Sequence, residues 1–382
     1  MRFQYDKRSS IIKSSLATVR RHPPGWLCGK TEAAIRNQKR TAIGLAALVA
    51  IAASAYWIRS RGSGSLFDWS DFAATFTRLR LSWVAAGSIL CLATYYVRAL
   101  RWAVLLKPVS ANPRVPGLLS ATIVGYTAIV LLGRPGEFVR PYLISLKERV
   151  SFSSQLAAWM IERIYDLLAA LLIFGFGLSQ VRASGAKVGP GIAWVIATGG
   201  WAVAILGTIC LGILVFIGRF ADTARRRLSD SLTVLPDRYR LPATQTMNAF
   251  LDGAASSGSQ ASVVLLVLYT ALEWILIAAA YYAILGAYGP TLQFGVVDVL
   301  IFMGFVSFGA VVQIPGIGGG VQLVATLVLT ELFGLPVEIG ASVAFLIWIA
   351  TFITVVPFGV FLAFYEGWNW KQLKSAREEA TL

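Results

Sequence analysis

Long apolar runs separated by short polar links make up most of the chain. Near-continuous apolar stretches cover residues 41–58, 82–106, 154–178, 191–217, 261–286 and 339–364. Each matches the length of helix, about 20 residues, that crosses a hydrocarbon core. Two further apolar regions are interrupted. The first, 117–132 and 138–146, breaks around Gly133-Arg134-Pro135-Gly136, and the second, 294–314 and 321–333, breaks at Pro315 to Gly320. Their shorter arms are too brief to span about 30 Å at 1.5 Å per residue. The pattern predicts an all-α polytopic membrane protein with about six full spans and two re-entrant helical hairpins. Counting each hairpin as one crossing gives about eight transmembrane helices. A plain span kinked at proline is the alternative for each long arm. The alternating ten-residue segments of a β-barrel are absent from the sequence.

Span, hairpin and span follow one another at 82–178 and again at 261–364. Interrupted segments at corresponding places in two halves are the pattern of a transporter with inverted repeats. Residues 1–40 read as a basic cytoplasmic tail, 219–258 as a polar cytoplasmic loop containing Arg225, Arg226 and Arg227, and 365–382 as a polar cytoplasmic tail. A signal peptide would place its hydrophobic region earlier. Phe67 to Arg80 is amphipathic and is expected to lie along the outer membrane surface. With the tail inside and both hairpins returning to their own side, the inner segments hold 25 of the 34 lysines and arginines and the outer segments 6. That bias follows the positive-inside rule, although Arg59, Arg61, Arg78 and Arg80 run against it. The expectation is a 41–364 transmembrane domain in the cell inner (plasma) membrane, with both termini cytoplasmic.

Composition agrees: 57% of residues are hydrophobic and 14% charged, against about 45–50% and about 25% in soluble chains. The net charge of +15 would suggest nucleic acid in a soluble protein. Here the basic residues sit in links, where they set topology and meet anionic headgroups, so no nucleic-acid partner is expected. Cys28, Cys91 and Cys210 are isolated and His22 is the sole histidine. That excludes a disulfide framework and leaves no basis for a metal site or a cofactor.

Ionisable groups inside the apolar runs carry the candidate chemistry, because such groups need protein or water around them. Arg98, Arg101 and Trp102 share one helix face, and Glu162 and Asp166 lie one turn apart beside Arg163. Structural ion pairing, or snorkelling to the interface, is the competing account for Arg101 and Arg163. Arg134 and Arg140 flank the first break, and their planar forks suit phosphate. A short helix starting near Pro135 or Gly136 would add N-terminal amides, unless Glu137 satisfies that end itself. Glu273 lies mid-span, either protonated, paired with an arginine, or part of a proton relay. Pro315, Gly316, Gly318, Gly319 and Gly320 form the second break, where glycines allow close backbone approach and a turn lining a cavity. No Gly-Lys-Ser/Thr follows, which argues against a nucleotide loop. Tyr95, Tyr96, Trp159 and Tyr165 either line a lipid path or pack ordinarily, and Asp298 and Glu331 read as interfacial.

Four motifs in order, Arg98-Ala99-Leu100-Arg101-Trp102, Gly133 to Arg140, Glu162 to Leu167 and the Pro315 to Gly320 turn, resemble the lysylphosphatidylglycerol synthase transmembrane region, a family of flippase-like integral membrane proteins. The resemblance covers about residues 41–364. It implies a polytopic inner-membrane fold with re-entrant segments. In the best understood members this region moves an aminoacylated phospholipid between leaflets, fused to a soluble synthase domain. Other members lack that domain, and some are associated with glycolipid, isoprenoid or hopanoid pathways. Gln322 and Trp348 stand here where many members carry a Glu and an Arg, so the resemblance does not carry the same cationic headgroup over.

The expected function is binding and translocation of a phospholipid or a polyprenyl lipid or glycolipid. Arg98, Arg101, Arg134 and Arg140 would hold the phosphate, with Glu137, Glu162, Arg163, Asp166 and Glu273 orienting them or meeting the headgroup. Pro135, Gly136, the second turn and Gln322 would line the cavity. The alternatives are a transferase acting on lipid or lipid-linked glycan, with Glu137 or Asp166 as base, and a membrane subunit serving a separately encoded lipid-modifying enzyme.

Overall fold

In the computed structural model, the described residues are 67–367 apart from 111, 186–187, 233–236, 255–259, 310–312 and 315–317. The expected first span 41–58, both tails beyond this range, and Pro315 and Gly316 lie outside them. Twelve helices follow in order among the described residues: α1 Trp69–Thr77, α2 Leu81–Leu106, α3 Val115–Leu132, α4 Val139–Glu148, α5 Phe152–Ser184, α6 Pro190–Leu232, α7 Asp237–Ala254, α8 Gln260–Gly286, α9 Val296–Gly309, α10 Gly320–Glu331, α11 Val337–Trp348 and α12 Val355–Tyr365. A 3₁₀ turn, Arg134–Phe138, joins α3 to α4, and a π turn, Ile349–Ile353, joins α11 to α12.

Six of these units are long and apolar enough to cross a membrane: α2, α3, α5, residues 192–216 of α6, α8, and the α11–α12 unit. Five coincide with expected spans. The sixth, α3, is the long arm of the first interrupted region. The polar stretch after residue 218, expected as a loop, continues α6 to Leu232 and then forms α7. No proline interrupts 191–235, so nothing in the backbone chemistry ends the helix sooner. The π turn has a local cause. Pro357 has no N–H to offer Ile353, and one turn earlier the Thr354 amide reaches back five residues to the Ile349 carbonyl at 3.0 Å.

The first interrupted region folds into a tight helical hairpin. Gly133 turns the chain with φ +71°, a conformation that favours glycine. Gly136 then lies directly on the α3 backbone at Ala128 and Ile129, and Gly125 of α3 leaves room for the Arg140 side chain. The far ends meet as well. Lys147 Nζ, at the end of α4, lies 3.0 Å from Ser120 Oγ near the start of α3 and 2.7 Å from Glu366 after α12. The second region also folds back: β1, Gln313–Ile314, pairs antiparallel with β2, Gly318–Gly319, and Gly309 of α9 abuts the Gly320 backbone of α10.

Two apolar cores result. One gathers Trp102, Leu105, Leu118, Leu143, Ile144 and Ile161 from α2, α3, α4 and α5. The other gathers Ile284, Phe302, Phe305, Val328, Leu329 and Ile347 from α8, α9, α10 and α11. Helices α5 and α8 contribute to both, and α2 packs along α8. The hairpin arms cross over: α3 packs on α12, and α9 packs on α5.

The expected surface piece forms α1, capped by Asp68, whose carboxylate accepts from the Ser70 and Asp71 amides. Phe72 and Phe76 of α1 pack against Phe345 of α11.

Candidate functional site

Between the two cores, α5 and α8 each turn ionisable side chains inward. Apolar burial on either side fixes which helix faces these are. Leu266 and Ala280 are buried a few turns apart on α8, so Glu273 between them must point inward too, and it is 1% exposed. On α5, Ile161, Tyr165 and Ala170 do the same for Glu162. Arg101 of α2 shares its inward face with Val97, Trp102 and Leu105.

Arg101 is fully buried and forms the hub. Its guanidinium meets Glu162 at 2.5 Å, Asp166 at 2.6 Å and Glu273 at 3.2 Å, and donates to Thr270 Oγ1 at 3.1 Å. Arg98 lies 2.6 Å from Glu273 and also donates to the Tyr126 hydroxyl. Arg140 grips Glu162 with both terminal nitrogens, a bidentate fork that fixes both groups in one plane. Its guanidinium lies 4.1 Å from the Trp102 ring centre and 5.5 Å from that of Tyr126. Arg163 reaches Asp166 at 3.2 Å and Glu162 at 3.7 Å. Taking ionised carboxylates out of water is costly, and multiple charge-assisted hydrogen bonds offset that cost here.

The structure therefore brings together seven of the expected residues: Arg98, Arg101, Arg140, Glu162, Arg163, Asp166 and Glu273. Of the alternatives for Glu273, pairing with arginine is the one seen. Arg134 and Glu137 pair with each other at 2.5 Å on the 3₁₀ turn, with Arg134 half-exposed, and Glu137 faces the cluster across a narrow cavity. That cavity is lined by Gly125, Tyr126, Ile129, Glu137, Arg140, Trp159 and Arg163. Its volume of about 10 Å³ is room for about one water. At its rim the Phe138 and Trp159 rings lie 5.8 Å apart.

The second break supplies structure elsewhere. Gln322 Oε1 accepts from the Gly319 amide at 2.7 Å, closing the start of α10, and Gly319 takes φ +117°. Gly320 is buried against Gly309, and Gly318 lies in the two-residue bridge. Trp348 packs on Phe345. Both positions that depart from the family pattern thus hold packing or capping groups.

Both acidic residues read as interfacial turn out to cap helix starts. Glu331 Oε2 accepts from the Ile192 amide at 3.1 Å, satisfying the start of α6, and Asp298 accepts from the Gly295 amide at the start of α9. Of the four aromatics, Trp159 lines the cavity, Tyr165 is core, Tyr96 is exposed, and Tyr95 donates to the Thr351 carbonyl and packs on Tyr126.

Sequence reasoning missed Tyr126, Thr270 and Gln155, the last accepting from the Trp102 indole at 3.0 Å. Their signal was a polar atom inside an apolar run, which the charged residues overshadowed.

A family model for the lysylphosphatidylglycerol synthase transmembrane region matches residues 41–359, a stretch that includes the whole cluster and both breaks. A stretch of 117 residues is 27% identical to glycosyltransferase AglD of Haloferax volcanii, covering 30% of this chain and 18% of that protein. The chain thus aligns with under a fifth of that relative's length. No solved structure matches. With the match running over most of its length, the chain belongs to the lysylphosphatidylglycerol synthase transmembrane region family.

Proposed function

We propose that this membrane protein binds the phosphate of a lipid headgroup at the arginine cluster and moves that lipid between leaflets. The carrying observation is the constellation itself: three buried arginines and three carboxylates between two apolar cores, the more exposed Arg163 at their edge, and Arg140 and Arg163 both lining a cavity. Buried ionisable groups in a membrane domain mark substrate pathways. Arg101, saturated by three carboxylates, is the keystone. Arg140 and Arg163 are the groups that meet phosphate, with Arg98 behind them. A cavity of about 10 Å³ is a closed state, so the headgroup enters when the Phe138–Trp159 rim parts and Arg134 leaves Glu137.

In this reading both interrupted regions are re-entrant hairpins from opposite faces, and the halves 82–178 and 261–364 are inverted repeats. Reciprocal packing supports it: each hairpin's long arm lies on the closing span of the other half, and the opening spans α2 and α8 lie on each other. Alternating access then comes from one half rocking against the other around the cluster. The distribution of basic residues supports cytoplasmic termini and an inner-membrane location.

A second reading is a membrane subunit or transferase in lipid or lipid-linked glycan modification. The name of the glycosyltransferase relative favours it. The geometry favours transport, since a general base must be free to reach the proton it removes, and both candidate bases are engaged, Glu137 by Arg134 and Asp166 by Arg101 and Arg163.

Leaflet exchange of a fluorescent phospholipid in liposomes containing the purified protein tests the proposal. The expected result is exchange that Arg140→Ala and Arg163→Gln each lower by about tenfold or more, as removal of a buried hydrogen-bonded charge implies. Exchange unchanged by both substitutions, or absent from the native protein, overturns it. Stable co-purification of a lipid-modifying enzyme without exchange would favour the second reading.

A further inference from the structure

Charge bookkeeping within the cluster says which kind of phosphate fits, and this inference rests on the headgroup site proposed above. Arg98, Arg101, Arg140 and Arg163 face Glu162, Asp166 and Glu273, and each carboxylate lies within ion-pair distance of at least two arginines. Four cations against three anions leave one positive charge in excess. Glu137 does not cancel it, because Arg134 already does so for Glu137 at 2.5 Å.

The excess has a place. Arg101 and Arg140 are 0% and 4% exposed at the side chain and hold the shortest pairs, and Arg98 is 14% exposed against Glu273 and the Tyr126 hydroxyl. Arg163 is 38% exposed. Its contacts at 3.2 and 3.7 Å go to carboxylates that Arg101 and Arg140 already engage. Arg163 and Arg140 are the two basic residues that line the cavity, together with Tyr126 and Trp159. The surplus charge therefore lies at the most exposed side chain of the cluster, one that also lines the cavity.

Six of these seven groups are at most 15% exposed at the side chain, and unbalanced charge in so buried a set is costly. One negative charge in the cavity brings the enclosed set to zero, whereas two leave it as far from neutral as it began, with the sign reversed. We propose that the site selects a singly charged phosphodiester headgroup over a doubly charged phosphomonoester, and that the arginine–carboxylate count sets this preference. A phosphomonoester carries close to two charges near neutral pH, since its second ionisation falls near pH 6.

Competition binding to the purified full-length protein in nanodiscs of neutral lipid tests this at pH 7.5. Phosphatidylglycerol supplies the diester and phosphatidic acid the monoester, with glycerophosphoglycerol and glycerol 3-phosphate as soluble counterparts. Phosphatidylglycerol should bind about tenfold tighter than phosphatidic acid, a difference of about 1.4 kcal/mol. Asp166→Asn raises the surplus to two and should erase or reverse that ratio. Arg163→Gln removes the surplus and should weaken both lipids by about tenfold or more, which keeps the test decisive if Asp166→Asn does not fold. Equal affinity for both lipids in the native protein, or a ratio that Asp166→Asn leaves unchanged, overturns the charge rule while leaving the headgroup site standing. Binding of neither lipid and neither soluble analogue overturns the site and the rule together. Soluble diester competing as well as phosphatidylglycerol, with soluble monoester weaker, supports the rule with a soluble ligand as its object.

Discussion

The first interrupted helix delivers the Arg140 guanidinium into the interior, and the second, among its described residues, delivers backbone contacts and a capping glutamine. In the first hairpin, Gly133 and Gly136 fold α4 back on α3, and the chain that follows places Arg140 on Glu162 with an aromatic ring on either side. In the second, Gly309 and Gly320 press α9 on α10, and the polar group nearest the turn, Gln322, is spent on the Gly319 amide. The same glycine device thus serves two ends. Close approach positions a charged site in one half and packs a neutral partner in the other. The lesson is that similar hairpins in two halves do not imply similar chemistry. On the proposed reading, ligand selectivity sits in the half that carries the arginines.

The largest expected effect comes from the keystone of the charged half. Arg101→Ala takes one arginine from each of three carboxylates and leaves a cavity at the hub, and should cost about 3–5 kcal/mol, read as a fall in the thermal midpoint of the detergent-solubilised protein. A near-neutral result would break the distinction between a charged and an uncharged half.

Next come the matched glycines. A methyl at Gly136 meets the Ala128 backbone, and one at Gly309 lies 2.5 Å from the Gly320 carbonyl oxygen. Gly136→Ala and Gly309→Ala should each destabilise by about 1–3 kcal/mol. Only Gly136→Ala should also weaken phospholipid binding, because it displaces the segment that carries Arg140. Equal loss of binding in both variants would contradict the asymmetry.

Gln322→Ala is a milder probe of the second half. It removes one acceptor at the start of α10 and should cost about 1 kcal/mol, with phospholipid affinity unchanged.

The smallest effect lies outside both hairpins. The Ser70 hydroxyl, then the Ser70 and Asp71 amides, hold the Asp68 carboxyl below the usual carboxylate range. A folded value below the unfolded one, about 3.9, means the cap stabilises α1 at neutral pH. That contribution fades as pH falls through the folded value. Trp69 fluorescence should therefore be flat from neutral pH down to about 4 and change below that. Asp68→Asn should remove the acid-side change.

Much of this was legible from the chain. Five spans, both breaks and seven clustered ionisable residues follow from apolar run length and from the cost of charge inside a membrane. Their pairing did not follow. Nothing along the sequence says that Arg101 meets Glu273, 172 positions away, rather than solvent at a helix end. That contact depends on α2 packing along α8, a choice made by Gly87 and its neighbours against Ala280 and Ile284. The partner of Glu331 was hidden for a similar reason: nothing near it in the sequence says that another helix start, at Ile192, arrives beside it. For Arg163 the sequence left structural pairing and a headgroup role both open, and only its exposure separates it from the saturated Arg101.

Photo-crosslinking tests the central claim most directly. A photoreactive amino acid in place of Trp159 reports on the cavity, and one in place of Trp201, an exposed position on α6, reports on lipid at an outer face. The account predicts adducts at 159 enriched in phosphate-bearing lipid with a singly charged headgroup, and loss of that enrichment in Arg163→Gln. Adducts at 159 matching those at 201 in lipid composition, or unaffected by Arg163→Gln, would contradict it.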